Sequence, residues 1–126
     1  MSSADWKLDD DRKSVLLTFP TNPPTAIKFD VAGIEDALQN LGKFRALMSP
    51  EVPKTHEKNQ KVEAIPDPAW VTGIEMMQGN SVLHIRDPRY GWLHYMLPRQ
   101  EARKLAGFLQ KQVDTPLPEP QANKTN

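Results

Sequence analysis

The sequence predicts an α+β fold: an antiparallel sheet of four or five strands with two helices on one face, built from a twice-used ββα pattern. Three observations predict it. Two strand–turn–strand patterns each lead into a helical one, both connections contain proline, and each helical stretch carries an apolar residue every third or fourth position. Leu17 and Phe19, the interval to Ile27, then Phe29 and a helix recur as Leu83 and Ile85, the same interval to Leu93, then Tyr95 and a helix. One shared sheet is expected because a lone hairpin with its helix offers too small a core to stand by itself.

The stretch MSSADWKLDDDRK, residues 1–13, reads as a flexible acidic leader. It lacks the basic start and apolar middle of a signal peptide, so the expected location is cytoplasmic. No apolar run approaches the roughly 20 residues that span a bilayer, and no membrane association is expected. The folded domain is expected over residues 14–113.

Val15 to Phe19 is rich in strand formers, and Pro20, Pro23 and Pro24 break the run. Ala26 to Phe29 alternates, with Ile27 and Phe29 on one side and Lys28 on the other. Asp30 is placed to cap a helix. Ile34, Leu38, Leu41 and Phe44 then follow at helical spacing, and Met48 to Pro50 ends the helix. Residues 49–69 hold Pro50, Pro53, Pro66 and Pro68 around THEKNQKVE and read as a long connection, with a short strand near Lys61 to Ile65.

Trp70 to Met77 reads as a strand and Gly79-Asn80 as its break. Val82 to Arg86 and Trp92 to Leu97 form a hairpin around Asp87-Pro88-Arg89-Tyr90-Gly91. Pro98 suits a helix start, and Arg99 to Val113 carries Ala102, Leu105, Phe108 and Leu109 on its apolar side. Residues 114–126, with three prolines, read as a flexible tail.

Lysine plus arginine equals aspartate plus glutamate at 16 each, so no overall field attracts nucleic acid, and little repulsion opposes self-association. The positive segment is local: Arg86, Arg89, Arg99, Arg103, Lys104 and Lys111 stand against Asp87 and Glu101. Cysteine is absent, which removes disulfides, thiolate metal sites and thiol nucleophiles. No P-loop, dinucleotide fingerprint or G-x-S-x-G elbow occurs. His84 and His94, even with His56 brought in, are too weak a set to argue a metal site, and neither metal nor cofactor is expected.

The candidate binding face is on the hairpin. Pairing Ile85 with Leu93 and Leu83 with Tyr95 turns those four toward the helices and leaves His84 facing His94 and Arg86 facing Trp92 on the other side. With Arg89 and Tyr90 at the loop, this face joins the residue types that concentrate in protein interfaces. The expected function is non-catalytic: assembly of a homo-oligomer, first a dimer, or binding of another protein. The alternative is a small ligand, nucleotide or nucleic acid held by the same six residues through stacking and charge-assisted hydrogen bonds. An enzyme using His84, His94 and Arg86 as acid, base and anion clamp ranks last.

Overall fold

Strand β1 (Asp5–Leu8) lies antiparallel to β2 (Ser14–Phe19), which pairs in turn with β3 (Thr25–Asp30) before the chain enters helix α1 (Val31–Leu47). The same order recurs as β4 (Trp70–Ile74), β5 (Ser81–Asp87), β6 (Gly91–Leu97) and α2 (Arg99–Asp114). The structure is a computed structural model and describes residues 3–118. The chain divides into two compact units, Met1–Glu63 and Ala64–Asn126, each of βββα order among the described residues.

The α+β class therefore holds, but the single sheet of four or five strands does not: there are two three-stranded sheets, each leading into its own helix. Each hairpin recruits a third strand from the residues before it, so neither needs the other's edge to complete a sheet. In the first unit that strand comes from the segment assigned to a flexible leader. Trp6 and Leu8 alternate with Lys7, and pairing places Trp6 across from Leu17 and Leu8 across from Val15.

The aspartates of that segment build the turn. Asp9 accepts from the Asp10 N–H at 2.8 Å and from the Ser14 hydroxyl at 3.1 Å, and Asp11 accepts from the Lys13 N–H at 2.9 Å. The bond from Asp10 and after it the one from Ser14 hold the Asp9 carboxyl below its ordinary pKa. No strand forms at Lys61 to Ile65. Asp114, assigned to the tail, is the last residue of α2, while residues 1–2 of the leader and 119–126 of the tail lie outside the described residues.

Register shows how the pattern repeats. Trp6, Leu17 and Ile27 form one row across the first sheet, as Trp70, Ile85 and Leu93 do across the second. The next rows are Leu8, Val15, Phe29 and Thr72, Leu83, Tyr95. The position in the first sheet equivalent to Ile85 is thus Leu17 and not Phe19, which pairs with Thr25. The equal sequence interval misleads because the β2–β3 connection, 20–24, is longer than the β5–β6 connection, 88–90.

Both helices begin where the sequence places them. Asp30 caps α1, its Oδ1 accepting from the Gly33 N–H at 2.8 Å. Pro98 precedes α2, and its carbonyl accepts from the Ala102 N–H at 2.9 Å. Each helix touches mainly the strand it grows from, β3 for α1 and β6 for α2. Their apolar stripes stay open toward the C-terminal ends: Leu41 and Phe44 on α1, and Leu109 and Val113 on α2, are exposed. Among the described residues, Leu17 is the one apolar side chain that is buried.

Candidate functional site

The hairpin face has the register expected from alternation. β5 and β6 pair Leu83 with Tyr95, His84 with His94, Ile85 with Leu93 and Arg86 with Trp92. His84, Arg86, Trp92 and His94 consequently share one side of the sheet, opposite the side that faces α2.

The two imidazoles meet directly. Their Nδ1 atoms are 2.6 Å apart and the rings stand edge to face, centroids 4.9 Å apart at 73°. With both rings neutral, one Nδ1 carries a proton and donates it while the other accepts. The pair cross-links β5 and β6 at the middle of the hairpin.

Arg89 and Tyr90 have a structural occupation at the loop. Asp87, 8% exposed, accepts from the Arg89 N–H at 2.7 Å with Oδ1 and from the Arg89 guanidinium at 3.1 Å with Oδ2. The Tyr90 N–H also donates to Oδ1, at 3.4 Å. The bond from the Arg89 side chain is the largest cause holding the Asp87 carboxyl below its ordinary pKa. The Arg89 guanidinium also lies over the Tyr90 ring, 5.1 Å from its centroid. These contacts fold the loop so that Arg89 serves the turn.

A concave surface of the second unit lies elsewhere. A groove of about 600 Å³ runs between α2 and the sheet face of Trp70, Ile74, Leu83 and Ile85, with Leu105 and Leu109 on the helix side. It contains no charged side chain; Thr72 and Ser81 bring its hydroxyls, and Pro68 is the lining residue from the long connection. None of the six hairpin-face residues lines it. The groove is open because α2 leaves the end of β6 after one residue, Pro98, and follows the sheet without closing over β4 and β5. Trp70 remains 66% exposed and Ile74 70%.

Sequence reasoning placed Leu105 and Leu109 in a core and did not see this surface. Trp70 at the head of an apolar strand is the available signal, since tryptophan is seldom left uncovered without a use. At the far end of β4, Glu75 orders the turn into β5 by accepting from the N–H groups of Met77 at 2.9 Å, Gln78 at 2.8 Å and Asn80 at 3.1 Å. The Asn80 bond is the largest cause holding its carboxyl below the ordinary value.

A smaller concavity of about 250 Å³ in the first unit is lined by Lys7, Leu8, Asp9, Asp10, Ser14, Leu16 and Lys28. Asp9 is already engaged there by Ser14 and the Asp10 amide. Among the described residues, no group of three or more His, Asp or Glu side chains is arranged to hold a metal ion, and no helix is long and apolar enough to cross a membrane.

Comparison with models of known families, with curated proteins and with solved structures gave no match.

Proposed function

We propose that this chain is a non-catalytic assembly domain that works by joining another macromolecule, in the first place a second copy of itself. The observation that carries this reading is the apolar surface each unit leaves uncovered. Trp6 is 60% exposed and Trp70 is 66% exposed, each at the head of an apolar row. Monomeric proteins seldom expose contiguous apolar patches of more than a few hundred Å², and larger ones mark interaction sites. Equal numbers of acidic and basic residues leave association without strong electrostatic opposition.

The hairpin face of His84, Arg86, Trp92 and His94 supports the same reading as a second, more polar contact surface. Acid–base chemistry there has weaker support, because the imidazoles are bonded to each other on a sheet face outside the groove. Nucleotide or nucleic-acid binding is weakened by the Arg89 guanidinium being drawn onto Asp87.

A small apolar ligand is the second reading, and the groove volume of about 600 Å³ favours it, since ligand sites commonly fall between about 300 and 1,000 Å³. Native mass spectrometry of the purified chain separates the two readings. Assembly predicts twice the 14.3 kDa chain mass. A single chain carrying a small bound mass would support the ligand reading and overturn self-assembly.

A further inference from the structure

Resting on the assembly reading, we propose that the groove beside α2 seats the α2 helix of a second copy, the two helices running antiparallel about a twofold axis near Ala106. The groove needs an elongated apolar occupant. Helix α2 has 16 residues and so spans about 24 Å, while the part of β5 that lines the groove, from Ser81 to Ile85, spans about 17 Å. The helix is long enough to cover that floor from end to end.

The occupant must also present the correct face. Ala102, Leu105, Ala106, Leu109 and Val113 fall on one side of α2 by helical spacing. The first four line the groove of their own unit, yet Leu105 is 40% exposed, Leu109 52% and Val113 79%. Their own sheet does not use them up. Ala102 and Ala106 are small enough to let a second helix approach closely, and helices pack at about 8–10 Å depending on such side chains.

Charge fits this pairing. A surface that meets itself must not set like charges together, and the groove lining holds no ionisable side chain. Arg99, Arg103, Gln110 and Asp114 form one edge of α2 beside the stripe. In a full antiparallel overlap Arg99 of one copy comes opposite Asp114 of the other, and Arg103 opposite Gln110, each pairing occurring twice. Glu101 is occupied by Lys104 within its own helix, at 3.4 Å, while Asp114 accepts from the Gln110 amide at 3.1 Å and is held on the shared edge.

Exposed apolar side chains supply the contact surface. An aromatic ring removes about 150–250 Å² when fully covered. Trp70, with Ile74, Leu105, Leu109 and Val113 beside it, brings the surface toward the about 800 Å² per partner of a standard interface.

The absence of cysteine allows a direct test, because an introduced thiol is the only one in the chain. Ala106→Cys places a thiol next to the axis, and Lys111→Cys places one on the opposite side of α2. Under mild oxidation Ala106→Cys is expected to run as a reducible covalent dimer and Lys111→Cys as a single chain. Light scattering is expected to give a dimer for the wild type and a monomer for Ala106→Glu; if Ala106→Glu loses its circular dichroism, the cysteine pair alone decides. A wild-type monomer overturns both this seat and homo-assembly. A wild-type dimer in which Ala106→Cys fails to cross-link overturns the seat and leaves assembly standing through another surface.

Discussion

His84 and His94 face one another across β5 and β6 with their Nδ1 atoms 2.6 Å apart, so the two rings share one proton position between them. The neutral pair must consist of unlike tautomers, one Nδ1–H and one Nε2–H. Long-range proton–nitrogen correlation spectra should show one of each when both rings are neutral, and two Nε2–H rings would remove the hydrogen bond. His84→Phe should return His94 to the tautomer mixture of a free imidazole.

Asp87 and Glu75 make the second unit sensitive to acid. Each carboxyl is held below its ordinary pKa in the folded state, Asp87 chiefly by the Arg89 side chain and Glu75 chiefly by the Asn80 N–H. A folded state that binds the proton less readily than the unfolded chain is stabilised at neutral pH. That stabilisation declines from the ordinary carboxylate pKa, about 4, and is lost as pH falls through the lower folded values. Thermal melts should show Asp87→Asn and Glu75→Gln less stable than wild type at pH 7, with the gap closing as pH falls below about 4. A gap that stays constant with pH would show that the carboxylate charges do not hold these turns.

Gly91 opens β6 at φ +81°, in the left-handed region, and a Cβ there would meet nothing within 4 Å. The cost of Gly91→Ala is therefore backbone strain alone, about 1–2 kcal/mol. Gly73, inside β4, also has open space around a Cβ but lacks the positive φ. Gly73→Ala should accordingly be neutral or stabilising by about 0.5 kcal/mol, since glycine weakens a strand interior. Urea titrations of both variants check the contrast, and equal effects would contradict the turn geometry.

Much of the local structure was legible in the residues. Alternation in Val82 to Arg86 and Trp92 to Leu97 is enough to pair Ile85 with Leu93 and His84 with His94, because a slip of one residue would turn every apolar side chain to the wrong face. Asp30 announces α1, since a carboxylate just before an apolar helical pattern meets free N–H groups. Pro98 announces α2 for the complementary reason that it lacks the N–H a helix start cannot use. These are relations between residues close in the chain, where steric limits and hydrogen-bonding needs act without help.

Tertiary structure decided the rest. Asp5 to Leu8 reads as part of an acidic leader until β2 supplies its hydrogen-bonding partner, because four residues hold no strand alone. Whether six strands form one sheet or two depends on which edges meet, and edge pairing is set by backbone groups that every sequence carries. The groove of Trp70, Leu83, Ala106 and Leu109 has the same origin: periodicity shows that these side chains seek cover, and only the path of α2, which keeps mainly to β6, shows that their own unit leaves it incomplete.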